Sequence, residues 1–200
     1  MTRAVTLLER IGHALMMAGA WPGRVASWLI LPIVLGVLLA VAGTMMRIQE
    51  LFGWGFRIPL LGNNLSIVDL GELQWHLFAV TVMLGGAYAL AEDRHVRVDL
   101  IYAKLGRRGK AWVDIVGDAL FLLPFCAIIG WLSLGFVDLA YRSGEQSDYG
   151  GLSDRYLAKA TLPLGLGLLF LAGLGRIIRN VGVLWGRREG TDRREAAADD

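Results

Sequence analysis

The stretch Glu72–Tyr102, ELQWHLFAVTVMLGGAYALAEDRHVRVDLIY, decides how the rest of the chain is read. It opens on a polar cluster, Glu72, Gln74, Trp75 and His76. Leu77 to Ala91 then carry no charge, and the stretch closes on Glu92-Asp93-Arg94-His95 followed by Val-Arg-Val-Asp. A membrane span needs about 20 predominantly apolar residues. The uncharged run is short of that, so a spanning helix must draw the polar head into the bilayer boundary. Ionisable residues there are costly and normally face protein. The segment reads as a helix that expects a protein neighbour.

Apolar blocks recur on either side of it. The 200 residues are 55% hydrophobic with a mean hydropathy of +0.51, too apolar for an ordinary soluble domain. Four spans are expected, at about 25–46, 70–91, 112–141 and 160–185. The third exceeds the bilayer thickness and should tilt or project. The fold class is all-α and integral to the membrane, four transmembrane helices with additional interfacial amphipathic helices. In that reading residues 1–24 form an N-terminal interfacial segment and 25–185 the membrane domain. Residues 186–200 form a charged, aromatic-free tail expected to be disordered. Val5, Leu8, Ile11 and Leu15 share one helical face. Val98, Ile101, Tyr102 and Leu105 fall at i, i+3, i+4 and i+7, predicting an interfacial helix over 97–110. The first apolar block is span-length and lacks the cleavage pattern of a signal peptide.

Lysine and arginine give the orientation. Fifteen of the 20 basic residues flank the chain ends and the loop between spans two and three. The positive-inside rule then puts both termini and that loop in the cytoplasm of a bacterial inner membrane. The net charge of +2 is a topology signal of this kind, and no nucleic-acid partner is implied, because the basic residues hug span ends without a binding motif.

A catalytic or cofactor reading finds little material, and neither an enzyme nor a cofactor is expected. Haem between two helices needs two histidines at one depth, and of His13, His76 and His95 only His76 lies within a span. Zinc-ligand spacing and nucleotide-binding motifs are absent. The lone Cys126 reads as an apolar packing residue. Asp114 and Asp118, four apart, could relay protons or bind a cation, but an Arg-paired or solvated helix start is the plainer reading. Glu72 and His76 can also meet at i, i+4. They either anchor their helix at the outer interface with Trp75 or hydrogen-bond a partner subunit. Gly36, Ala40 and Thr44, then Gly85, Gly86 and Ala87, then Gly165, Gly167, Gly173 and Gly175 offer small surfaces for close helix approach. Without central charges, this suggests a scaffold rather than a pore.

Glu72-Leu-Gln-Trp-His-Leu-Phe, Leu84-Gly-Gly-Ala-Tyr-Ala-Leu and Asp93-Arg-His-Val-Arg-Val-Asp99 resemble the small membrane subunit, the DctQ-like Q subunit, of tripartite ATP-independent periplasmic (TRAP) transporters. Gly144-Glu-Gln-Ser, Gly150-Gly-Leu, Lys159 and Pro163-Leu-Gly165 look like that family's second marked region. The resemblance covers roughly residues 25 to 185. It implies a three-part secondary transporter. A periplasmic substrate-binding protein captures an organic anion, typically a carboxylate, and a large membrane subunit carries it inward on a sodium gradient. The small subunit braces the large one within the lipid bilayer.

On this reading Glu72, Gln74, Trp75 and His76 contact or orient the large subunit. His95, Arg97 and Asp99 fix the corner into the interfacial helix. Arg47, Arg57, Asp69, Glu145 and Asp148 are candidates for the rim where the binding protein docks. A small membrane enzyme or redox anchor is the alternative, with Asp114, Asp118 and His76 as its only material.

Overall fold

A computed structural model of the chain describes residues 2–94, 102, 104–148 and 151–196. Four helices are long and apolar enough to cross a membrane: Thr6–Met45, Ile67–Ala91, Arg107–Arg142 and Tyr156–Trp185. Each contains or overlaps one of the expected spans.

The first is assembled from α1 (Thr2–Ala26), a 3-10 turn (Ser27–Leu29) and α2 (Ile30–Met45). Pro22 sits inside α1, and the tighter turn follows five residues later. The packing face of α1 is its small-residue face. Gly12, Met16, Gly19, Ala20, Gly23 and Ala26 are buried, while Leu7 and Ile11 stay exposed. α3 (Ile67–Ala91) starts from a capping box. The Ser66 hydroxyl accepts from the Asp69 N–H at 3.1 Å, and the Asp69 carboxylate accepts from the Ser66 N–H at 2.7 Å.

The third long helix is α4 (Arg107–Gly117), a π-turn (Asp118–Leu122) and α5 (Leu123–Arg142). Pro124 cannot donate to the carbonyl a turn before it, and the widened turn lies just ahead of it. Arg107–Lys110 belong to the first turn of this helix, so that part of the 97–110 segment is continuous with span three. Residues 95–101 and 103 lie outside the described residues. After a four-residue helix, α6 (Tyr156–Lys159), comes α7 (Thr161–Ala196). It continues past Trp185 through most of the charged tail, where Arg, Glu and Ala are good helix formers.

Glycine contacts fix the register. A Cβ on Gly12 would meet Arg179 and Gly175, and one on Gly19 would meet Leu168 and Ala172. Thus α1 runs antiparallel to α7. Gly23 abuts Leu84 and Tyr88, Gly36 abuts Gln74, and Gly43 abuts Ile67, so α1 and α2 continue antiparallel along the whole of α3. Gly165 meets Met83, and Gly173 meets Leu122. Gly85 and Gly167, by contrast, face open space. The core lies where α1, α3 and α7 converge: Met16, Ala87, Leu90 and Ala172 are buried, with Leu122, Leu168 and Leu169 packed around them. Cys126 is buried, as a packing residue should be. α2 touches α3 along one edge, leaving Leu31, Leu35, Leu38 and Met45 exposed.

The α1–α7 crossing leaves no room for a side chain. A Cβ on Gly19 would lie 2.7 Å from the Leu168 carbonyl oxygen and 3.2 Å from the Ala172 Cβ. Gly19→Val should push the two helices apart and cost about 1–3 kcal/mol, the usual overpacking penalty. Thermal unfolding in detergent measures it; an unchanged midpoint would mean that α1 does not pack on α7 this way.

The sequence reading contains no strand, but the link between α2 and α3 is a two-stranded antiparallel hairpin, β1 (Glu50–Ile58) and β2 (Gly62–Ser66). Its alternation, Leu-Phe-Gly-Trp-Gly-Phe-Arg-Ile, is diluted by two glycines. Leu60 (φ +77°) and Gly62 (φ +67°) turn the chain between the strands, and the Trp54 indole N–H donates to the Gly62 carbonyl at 2.9 Å. The bundle therefore has a hairpin end and a terminal end, with polar side chains concentrated at both.

Candidate functional site

Glu72 is the hub of the hairpin end. Its carboxylate accepts from the Ser147 hydroxyl and from the Leu152 N–H at 3.0 Å. Leu152 is fully buried, and Gly151 lies so close that an added Cβ would be 2.7 Å from Glu72 Oε2. The loop after α5 is thereby tied to the side of α3. The hairpin tip joins the same knot: the Ser153 N–H donates to the Leu60 carbonyl at 3.0 Å, and Arg57 pairs with Asp154 at 3.2 Å. Lys159 Nζ lies 2.5 Å from Glu145 Oε2 and 4.1 Å from the centre of the Phe136 ring. Tyr141 and Tyr156 meet edge-on at 5.1 Å.

The expected partner-contact residues separate under this geometry. Glu72 is committed to its own chain. Gln74 lies against Gly36, near the middle of the apolar run of α2, and its Nε2 is buried without a hydrogen-bond partner. The polar head of α3 thus sits abreast of apolar α2 rather than beyond it. His76 Nδ1 is 2.7 Å from the Glu72 carbonyl oxygen. A carbonyl can only accept, so Nδ1 carries the proton. His76 also lines a largely apolar cleft of about 280 Å³ with Trp75, Met83, Lys159 and Leu162. Trp75 is 73% exposed and stacks edge-on with Phe78. Trp75 and His76 are the two of the four that face outward or line a cleft.

The rim candidates also divide. Asp69 is 3% exposed, and its carboxylate is committed to the capping box. Arg57 and Glu145 are taken by Asp154 and Lys159. Arg47 (φ +55°) leads the chain out of α2, and both it and Asp148 are exposed. His95, Arg97 and Asp99 lie outside the described residues.

The terminal end is held by an ion pair inside the bundle. Arg176 on α7 forms a bidentate pair with Asp118 on the π-turn, with Nε 2.6 Å from Oδ2 and Nη2 on Oδ1. Their side chains are 11% and 3% exposed. Asp114, one turn earlier, accepts from the Tyr102 hydroxyl at 3.1 Å. The Arg-paired reading of this acidic pair therefore holds for Asp118. In sequence Arg176 is one of the basic residues at the end of span four. Its partner is 58 positions away, a separation no spacing rule covers. The one available signal is that Arg176 and Asn180, at i and i+4, interrupt an otherwise apolar face.

These features define a class: a multi-pass α-helical membrane protein whose buried charges serve to fasten its own ends. A family model for tripartite ATP-independent periplasmic transporters, DctQ component, matches residues 59–182, and the chain belongs to that family. It is a small membrane subunit of a TRAP transporter. No curated protein matches the chain, and no solved structure does.

Proposed function

We propose that this subunit braces the large membrane subunit of a TRAP transporter during sodium-driven uptake of an organic anion, most simply a carboxylate, delivered by a periplasmic binding protein. The observation that carries this reading is the self-locking of the chain. Glu72 ties α3 to the loop before α7, and Asp118–Arg176 ties the π-turn to α7. A part that must stay fixed while its neighbour alternates between faces needs such fastening.

In this proposal the terminal end is cytoplasmic and the hairpin end periplasmic, in keeping with the positive-inside bias. The inner membrane is then the location. Trp75 and the His76 cleft meet the large subunit. Arg47 and Asp148, with exposed Phe52 and Phe56 of the hairpin, form the rim for the binding protein. Exposed Leu7 and Ile11 leave the bundle-packed α1 an apolar face for lipid in the same proposal. An enzyme or redox anchor has less support. His76 lies abreast of residues near Lys159, and Asp118 abreast of Arg176, about 25 Å apart along α7.

Trp75→Ala tests the contact. An exposed aromatic anchor is worth about 2 kcal/mol in an interface, on the order of 30-fold in affinity. Co-purification of the large subunit with tagged chain should fall by that order, while the melting temperature of the isolated chain stays unchanged. Undiminished co-purification and uptake would sink this assignment.

A further inference from the structure

At the terminal end a second, polar cavity of about 490 Å³ opens between α1, α4 and α7. Three permanent cations line it: Arg107 and Lys110 from α4 and Arg179 from α7. His13 and Glu9 come from α1, and Asp114 from α4. Two carboxylates against three cations leave the cavity net positive with His13 neutral. The Asp114 carboxylate is also engaged by the Tyr102 hydroxyl.

The deciding residue is Asn180. It lines this cavity and is 7% exposed, and its Nδ2 is buried with no hydrogen-bond partner. A buried amide N–H without an acceptor costs about 1–3 kcal/mol, and native structures rarely leave one without a reason. An acceptor-rich anion supplies what Nδ2 lacks. Among the described residues Arg179 and Arg107 have no ion-pair partner either, so two guanidinium groups remain for the same anion. Guanidinium and amide donors converging on one space suit the several oxygens of a phosphate group.

The position selects the source. One turn from Asn180 toward the bundle centre lies the Asp118–Arg176 pair, and beyond it the apolar contact of Gly173 with Leu122. The cavity is therefore at the border between the apolar bundle and its charged end, the depth of lipid headgroups. Basic pockets between transmembrane helices are suited to phospholipid headgroups.

We propose that the cavity lined by Asn180, Arg179, Arg107 and Lys110 binds a phosphate group, carried by an anionic membrane phospholipid or free in solution. The bound phosphate would tie α4 to α7 at this end, beside α1. This is independent of the contact with the large subunit, because it concerns the chain and its lipid alone.

Native mass spectrometry of the delipidated full chain tests it. The probes are phosphatidylglycerol, phosphatidylcholine and inorganic phosphate. A headgroup site retains phosphatidylglycerol over phosphatidylcholine by about tenfold, one ion pair's worth of discrimination, and millimolar phosphate does not displace it. A free-phosphate site binds inorganic phosphate and does not discriminate between the two lipids. In either case Arg179→Gln with Lys110→Gln removes the binding. Asn180→Leu weakens it by a similar factor, without lowering the melting temperature of lipid-free protein. Binding of neither phosphatidylglycerol nor phosphate by the wild-type chain, or equal binding by wild type and both variants, overturns the proposal.

Discussion

Replacing Asp118 by leucine should cost the bundle about 3–5 kcal/mol, the penalty for stranding one member of a buried ion pair. Asp118 is 2% exposed as a residue, and it is the bidentate partner of Arg176. Without it, the largely buried Arg176 guanidinium loses its bidentate partner and keeps only the weaker pull of Asp114, one turn away. The expected result is a chain that fails to accumulate in the membrane, or that melts far below wild type in detergent. The double variant Asp118→Leu with Arg176→Leu removes both charges together. Well-packed apolar replacements of buried pairs are often neutral, so the double variant should recover most of the loss. Asp118→Asn keeps one acceptor for Arg176 and should fall between. The coupling energy from this cycle is the measurement, since each single variant alone mixes lost attraction with stranded charge. Additive effects would mean the pair is not formed.

The spans were legible because they are a matter of block composition. Fifteen uncharged residues before Glu92, or the apolar run from Trp112 to Tyr141, declare themselves without knowledge of any neighbour. What the blocks concealed was helix continuity. The helix Thr6–Met45 extends far ahead of the expected start near residue 25, because α1 is held by Gly12, Gly19 and Gly23 rather than by large apolar residues. Small residues matter through what they admit, and what fills those gaps lies far along the chain, the α7 backbone some 150 positions on for Gly12 and Gly19 and Leu84 and Tyr88 of α3 for Gly23. The hairpin was missed for a related reason. Glycines at 53 and 55 thin its period-two pattern, and its fastening, Trp54 to Gly62 and Leu60 to Ser153, appears only once the turn is made. The expected site residues were legible as chemistry but not as partners. Asp69 signals a charged rim in the sequence, yet the preceding Ser66 makes it a helix cap. That signature was readable locally and carried more weight than the loop it borders.

Glu72 shows what changes when a polar head acquires its partner. From the sequence it asks for a second subunit, yet the loop before α7 supplies both donors, Ser147 Oγ and the Leu152 N–H. Hydrogen bonds to a charged acceptor contribute about 1.5–3 kcal/mol each. Glu72→Ala should therefore cost roughly 3 kcal/mol or more, felt mainly in the loop, because the core around Ala87 and Ala172 lies at the other end of α3. The described part of the loop between Arg142 and Tyr156 should lose amide-exchange protection, the Leu152 N–H first, while α1 and the terminal end keep theirs. Glu72→Gln retains one acceptor oxygen and should open the loop less. Gly151→Ala keeps the Glu72 charge but sets a Cβ 2.7 Å from its Oε2, so the carboxylate must shift off its donors and the loop should open from the opposite side, though less than in Glu72→Ala. If bracing requires this knot, solute uptake by the assembled transporter falls in Glu72→Ala and Gly151→Ala alike, although only one of them alters the charge. Loss in Glu72→Ala with normal uptake and a closed loop in Gly151→Ala would assign Glu72 a direct role at the partner surface instead.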